Sequence, residues 1–182
     1  YGQDLAKAAL NLLKDAKEVE SGDLKFSQTK YDATVWKHSQ EEVNRAQEFS
    51  DKSKDITSFD VRTALSKEYG FTSVYHANSV LTKAKMGATV DLELNAFSIG
   101  NSLAFYTVPG ELWCSASLEM EKDSPFPMTF TIGYCNGGVA YIPYKLDYFV
   151  SYEYFYCLFK QDDVINQMQD YYLENLEKQF EN

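Results

Sequence analysis

Glu111 is the residue best placed to do chemistry in this sequence of 182 residues. It follows the apolar run 103–108 and the pair Pro109-Gly110. This pair ends a strand because proline cannot donate to a sheet and glycine adopts backbone angles closed to other residues. Reacting groups are commonly mounted on such loops, since a rigid scaffold holds them. A carboxylate at the start of the next predicted helix also offsets the helix dipole, and on position alone that simpler role is favoured.

Tyr141 lies in a similar position after another predicted strand. Residues 128–134 alternate between apolar and polar side chains, and the turn Asn136-Gly137-Gly138 breaks this pattern shortly before Tyr141. A phenol has a pKa of about 10, so metal coordination would require the metal to stabilise the phenolate. The chain has 14 tyrosines, and a core aromatic is therefore the alternative role.

These segments resemble the closing part of the catalytic domain in the neutral/alkaline non-lysosomal ceramidase family. The resemblance rests on three blocks in the same order and with compatible spacing: Pro109-Gly110-Glu111, Ser124-Pro125-Phe126-Pro127, and Asn136 followed by Tyr141-Ile142-Pro143. More weakly it extends over most of residues 1–182, except for 35–86, which we interpret as a helical insertion. The chain is therefore expected to be the C-terminal portion of a ceramidase-like catalytic domain.

The resemblance implies a zinc-dependent amidase. Glu111 and Tyr141 match the family's glutamate and tyrosine zinc ligands, and Tyr152 matches the tyrosine that polarises the scissile carbonyl. Tyr154 competes for this last role, because the interval from Tyr141 to Tyr152 is one residue shorter than in the family. In the complete site, zinc would activate a water to attack the amide bond of an N-acyl sphingoid lipid or a related amide. Tyr152 would stabilise the developing oxyanion.

The family's two zinc histidines come from its N-terminal half, and this chain has no counterpart for them. Its own histidines, His38 and His76, lie in no ligand motif, and we expect surface or packing roles for both. One carboxylate and one phenol are too few ligands, because catalytic zinc sites keep three protein ligands or more. The chain alone is therefore expected to hold no zinc and to be inactive without its N-terminal half.

Partners are expected on the opening helix, where Leu5, Ala9 and Leu12 form an apolar stripe at helical spacing. We expect the N-terminal half of the same protein, or another copy, to cover this stripe, while a lipid amide is the implied substrate. The net charge of −10 argues against a nucleic-acid partner, which would need a basic face. The family resemblance implies a secreted, periplasmic or cell-surface protein, although the chain carries no targeting signal.

Two other functions fit the same residues. A non-catalytic binding or structural module would keep the fold without the chemistry. Two features favour this hypothesis. Phe149-Val150-Ser151 replace the small residues that precede the catalytic tyrosine in the family, and segment 35–86 has no match in it. The third reading is an autonomous acidic domain whose similarity to the family is accidental.

Alternation and turn signals predict an α+β fold, with a mixed or antiparallel sheet flanked by helices. The family resemblance implies that this fold is part of a larger layered catalytic domain. The strands are predicted at residues 24–34, 88–98, 102–108 and 127–135. Helices are predicted behind caps at Ser39 and Ser58. The closing helix is expected to turn Ile165, Met168, Tyr172 and Leu176 inward. The sheet is expected to bury Val90, Leu92, Leu94, Phe105, Phe130 and Ile132.

Overall fold

The computed structural model describes residues 1–19, 22–142, 153–159 and 163–181. Within these ranges the fold is α+β, as predicted, with a four-stranded and a two-stranded sheet. The strands are β1 (Leu24–Thr34), β2 (Thr89–Ile99), β3 (Leu103–Thr107), β4 (Glu111–Leu112), β5 (Met128–Ile132) and β6 (Tyr141–Ile142). The helices are α1 (Gly2–Leu12), α2 (Gln40–Ser53), α3 (Phe59–Glu68), α4 (Val74–Lys85), α5 (Cys114–Asp123), α6 (Glu153–Tyr156) and α7 (Asp163–Glu181), and a short 3-10 helix (Leu13–Asp15) follows α1.

The four-stranded sheet is mixed, with the strand order β1-β2-β3-β5. The pairs β1–β2 and β2–β3 are antiparallel, whereas β3 and β5 are parallel. Parallel neighbours require a crossover connection, and α5 lies in the one that joins β3 to β5. The carboxyl ends of β3 and β5 consequently meet at the same edge of the sheet.

The main core lies between one face of this sheet and the helices α5 and α7. Tyr106 of β3 packs against Tyr172 of α7 with ring centroids 4.8 Å apart. The Tyr172 hydroxyl also donates a hydrogen bond to the backbone carbonyl of Thr107. The inward stripe predicted for the closing helix is confirmed, because its four residues are all buried: Ile165, Met168, Tyr172 and Leu176.

The predicted burial of the sheet is only partly correct. Leu92 and Leu94 are buried, and Val90 and Phe105 are half-buried. The prediction is wrong for Phe130 and Ile132, which are exposed. The reason is the side on which the helices pack: α5 and α7 cover the face formed by alternate residues such as Ala104, Tyr106 and Thr129, all buried. Phe105, Phe130 and Ile132 point away from these helices.

The predicted helices behind Ser39 and Ser58 are present. Ser39 forms a capping box with Glu42, and the Ser58 hydroxyl accepts a hydrogen bond from the backbone N–H of Val61. Helices α2, α3 and α4 share a second apolar core, whose buried members are Ala46, Phe49, Phe71, Val74, Ala77 and Val80. This helical unit therefore has its own hydrophobic cluster beside the sheet.

A buried lysine links the helical unit to α6. Lys83 is 1 % exposed and donates a hydrogen bond of 3.0 Å to the backbone carbonyl of Phe155. Its ammonium lies 4.4 Å from the ring centroid of Trp36, a cation–π contact. Burial lowers the pKa of Lys83 to about 8, because desolvation disfavours the charged form. A lysine enclosed in this way joins two parts of the fold and is closed to an external substrate.

Candidate functional site

The candidate site lies beyond the carboxyl ends of the parallel strands β3 and β5. The loops that leave these strands are joined by backbone hydrogen bonds, from Cys135 N–H to the Val108 carbonyl at 3.0 Å and from Tyr134 N–H to the Gly110 carbonyl at 3.1 Å. Further along, the Glu111 N–H donates to the Ala140 carbonyl at 2.9 Å. Ligands commonly bind outside the carboxyl ends of parallel strands, so a binding site is expected at this edge of the sheet.

Glu111 and Tyr141 lie side by side at this edge. They are register partners in the two-stranded parallel sheet formed by β4 and β6. Register partners on neighbouring strands share a face, so this pairing puts both side chains on the same face of the small sheet. Both residues are partly exposed.

Gly110 permits this close pairing. A Cβ atom added to Gly110 would lie 2.5 Å from the carbonyl oxygen of Ala140, closer than any real Cβ contact. It would also lie 3.1 Å from side-chain atoms of Val139 and Ile142. The Pro-Gly pair therefore ends β3 and also lets the next segment pack against the chain that follows β5.

Glu111 does not lie in the first turn of a helix. It belongs to β4, and the N-cap of α5 is Trp113. The first turn of α5 contains no acidic residue. The interpretation that Glu111 offsets the dipole of this helix is therefore wrong, because the chain forms a short strand against β6 before the helix begins.

Tyr134 holds the Glu111 carboxylate. Its hydroxyl donates a hydrogen bond to Oε2 of Glu111. This bond raises the pKa of Tyr134 above its ordinary value, and desolvation and the negative charge of Glu111 act in the same direction. No local signal in the sequence predicts this role, because Tyr134 continues the alternating pattern of the predicted strand 127–135. In the structure β5 ends at Ile132, and the chain turns before Tyr134.

The turn after β5 contains unusual backbone conformations. Tyr134, Asn136 and Ala140 have φ values of 52°, 61° and 62°, a left-handed conformation that few non-glycine residues adopt. Among the described residues, these three are the ones other than glycine with positive φ. Such conformations cost free energy and often cluster at functional sites.

Asn136 anchors this turn to the large sheet. Its side-chain amide donates a hydrogen bond of 2.6 Å to Oε1 of Glu93 in β2. The amide of Asn95 donates to the same carboxylate oxygen at 3.3 Å. Asn136 therefore shapes the turn. Glu93 is a second carboxylate near this edge, and it lies in no sequence motif that would predict a site.

The predicted carbonyl-polarising tyrosine and its rival fall outside what the structure describes. Tyr152 lies outside the described residues, as does Pro143. Tyr154 belongs to α6, and its side chain is likewise outside the description. Within the described ranges, no group of three or more His, Cys, Asp or Glu side chains could hold a metal ion.

Both histidines have packing roles. The His38 ring stacks on Trp36 with centroids 4.9 Å apart, and its Nδ1 lies 3.7 Å from Oε2 of Glu42. His76 stacks on Phe155 at 3.9 Å. Burial lowers the pKa of His76 to about 4, so its imidazole is neutral near pH 7.

Comparison of the chain with protein-family models and with curated proteins finds no match. Among the described residues, no helix combines the length and apolar character needed to cross a membrane.

Proposed function

We propose that this chain forms part of a zinc-dependent amidase of the neutral ceramidase type, in which Glu111 and Tyr141 are two of the zinc ligands. The observation that carries the proposal is the pairing of these two residues. Glu111 follows β3 and Tyr141 follows β5 along the chain, yet the two residues are register partners in β4 and β6. An adjacent carboxylate and phenol offer two oxygen donors and fit part of a zinc coordination shell, of which carboxylate is a common member.

The remaining ligands have to come from another segment, because catalytic zinc keeps at least three protein ligands. The proposal assigns them to two histidines of an N-terminal half of the same protein. When bound, zinc would supply the Lewis acidity needed for amide hydrolysis. The substrate class is the amide of an N-acyl sphingoid lipid or a related amide, and Tyr152 is proposed to polarise its carbonyl.

The residues of this chain would position the ligands. The Tyr134 hydroxyl fixes one oxygen of Glu111 and leaves the other oxygen available to a metal. The close approach at Gly110 keeps β4 against the segment that carries Tyr141. Hydrogen bonds of this kind to a ligating carboxylate orient it and tune its affinity for the metal.

Titration with Zn²⁺ of the chain combined with a histidine-bearing N-terminal half tests the ligand pair directly. We expect binding that converts one tyrosine to tyrosinate, seen by ultraviolet difference absorption, because a bound cation lowers the pKa of a coordinating group. The 182-residue chain alone is expected to hold no zinc. The signal should be lost in Tyr141→Phe and in Glu111→Gln. Tyr75→Phe is the matched control, since Tyr75 lies exposed on α4. A full signal in Tyr141→Phe would show that the ligand assignment is wrong.

Amidase activity tests the complete proposal, once a histidine-bearing N-terminal half is supplied. Hydrolysis of a fluorogenic N-acyl sphingoid amide should fall at least about 100-fold in Glu111→Gln, because a metal ligand is lost. Glu121→Gln, on the exposed surface of α5, should keep wild-type activity. Unchanged hydrolysis in Glu111→Gln would contradict the proposal.

A second candidate function is the non-catalytic interaction module. The specific observation in its favour is an exposed apolar face of the large sheet, which includes Phe26, Met128 and Phe130. An absence of both Zn²⁺ binding and amidase activity, together with self-association through that face, would favour this function over the amidase.

A further inference from the structure

A row of four aromatic rings crosses the outer face of the large sheet. Phe26, Phe97, Phe105 and Phe130 are register partners on the consecutive strands β1, β2, β3 and β5. The ring centroids of Phe97 and Phe105 are 4.8 Å apart, and those of Phe105 and Phe130 are 5.4 Å apart. Phe26 is 64 % exposed and Phe130 is 46 % exposed, so the row faces solvent.

Apolar residues extend this row toward one end of the sheet. The neighbouring register row consists of Leu24, Ile99, Leu103 and Met128. Of these, Leu24 is 79 % exposed. We call the two rows together the phenylalanine face. Contiguous apolar patches of this extent are uncommon on monomers and mark interaction surfaces.

Helix α1 carries an apolar stripe that is uncovered as well. Leu5, Ala9, Leu12 and Leu13 fall on one side of the helix at helical spacing. All of residues 1–19 are exposed, and Leu5 and Leu12 are each 73 % exposed. The same chain therefore presents an apolar helix stripe and an apolar sheet face, each without a described covering element.

The two surfaces match in size. Helix α1 has 11 residues and is about 16 Å long. The four strands, spaced by about 4.8 Å, span about 14 Å from β1 to β5. Large apolar side chains carry about 150–250 Å² each, so the exposed parts of the sheet face and the helix stripe amount to about 500 Å² and 400 Å². One contact would bury about 900 Å² in total.

The start of β1 packs closely against the turn between β2 and β3. A Cβ atom added to Gly22 would lie 2.4 Å from the Cα of Gly100, so residue 22 is pressed against the turn between β2 and β3. The Gly100 N–H also donates to the Asp23 carbonyl at 3.0 Å. The chain thus enters β1 from beyond the end of the sheet, and the exposed side chains of α1 are not covered by any described element of the same chain.

We propose that α1 docks its apolar stripe on the phenylalanine face of a second copy of this chain, in a reciprocal exchange. A two-fold axis would satisfy both contacts at once, because each copy offers one helix and one face. The two contacts would bury about 1,800 Å² together, which is the size of a stable protein–protein interface. The proposal does not depend on zinc, since neither surface includes Glu111 or Tyr141.

The mass of the full 182-residue chain in solution tests this proposal, by light scattering during size exclusion at several concentrations. We expect a dimer. The double substitution Leu5→Glu and Leu12→Glu should weaken the dimer by about 100-fold or more, because it removes large buried apolar side chains from both contacts. Phe26→Glu should weaken it as well. Val61→Glu, at an exposed apolar residue of α3, which contributes to neither surface, is the matched control and should remain dimeric.

Mixing the helix variant with the Phe26→Glu variant distinguishes helix exchange from other kinds of dimer. The helix variant keeps an intact sheet face and the Phe26→Glu variant keeps an intact helix, so their mixture should form a heterodimer through one contact. Circular dichroism checks that each variant is folded, and α1 can be altered without touching either core. A monomeric wild type would overturn the proposal, including the case in which α1 folds back on its own sheet. A dimer that survives the helix substitutions would overturn it too, because sheets would then pack directly on each other.

Discussion

The hydroxyl of Tyr134 donates a hydrogen bond to the carboxylate of Glu111 across two loops that leave neighbouring parallel strands. Tyr134 reaches this position with a left-handed backbone. The hydrogen bond to the carboxylate, desolvation and the negative charge of Glu111 hold the pKa of the Tyr134 phenol above its ordinary value. This contact ties the chain after β5 to the chain after β3 through side chains as well as through the backbone.

The first prediction concerns this contact. Glu111→Gln should lower the pKa of Tyr134 toward its ordinary value of about 10, because the substitution removes the ionic acceptor and its negative charge. The measurement is a pH titration of the Tyr134 ring resonances by NMR. Glu93→Gln, which removes a nearby carboxylate bonded to Asn136, serves as the control and should leave the Tyr134 titration in place. An unchanged titration in Glu111→Gln would contradict the hydrogen bond.

The second prediction concerns the packing of β4 against the chain after β5. Gly110→Ala would put a Cβ atom 2.5 Å from the Ala140 carbonyl oxygen, so the backbone has to shift. We expect a loss of about 2 kcal/mol or more in the free energy of unfolding. Gly138→Ala is the matched control, because a Cβ there meets nothing within 4 Å and should cost less than about 1 kcal/mol. Urea denaturation measures both, and equal losses would contradict the close approach at Gly110.

The third prediction concerns Lys83. Its pKa in the folded chain is about 8, below its ordinary value of 10.5. Between these pH values the unfolded chain binds more protons, so the Lys83 contribution to stability rises with pH from about 8 to about 10.5. The slope is at most about 1.4 kcal/mol per pH unit.

Lys83→Met should remove this contribution. The free energy of unfolding is measured in urea at a series of pH values for both proteins. The wild-type value should rise relative to the Lys83→Met value between about pH 8 and about pH 10.5. Lys85→Met, at an exposed lysine of the same helix, should follow the wild type. If Lys83→Met and the wild type vary with pH in parallel, Lys83 is not buried as described.

Local signals in the sequence were enough to predict the strands of the large sheet and several of the helices. Alternation and turn residues predicted the four strands of the large sheet, because these signals act within a few residues of the chain. Ser39 and Ser58 predicted helix starts for the same reason, since a capping hydroxyl bonds to an N–H three residues away. Helical spacing identified the inward side of α7 correctly, because its single apolar stripe has to pack against the core.

Alternation defines two faces of a strand, but it does not say which face a helix will cover. Phe130 and Ile132 are exposed although the prediction buries them, because α7 and α5 pack on the opposite face, where Tyr106 meets Tyr172. Both faces of β3 are apolar, so the docking of α7 was the deciding factor. The phenylalanine face remains exposed because α5 and α7 pack on the other face of the sheet.

The same distinction applies to the candidate site. The blocks around Glu111 and Tyr141 could be found in the sequence, because they are short and local. Their pairing in β4 and β6, and the bond from Tyr134, depend on the parallel arrangement of β3 and β5. The burial of Lys83 depends likewise on contacts with Trp36 and Phe155, which lie far from it in the chain. Contacts between distant segments carry no local signal, and only the tertiary structure decides them.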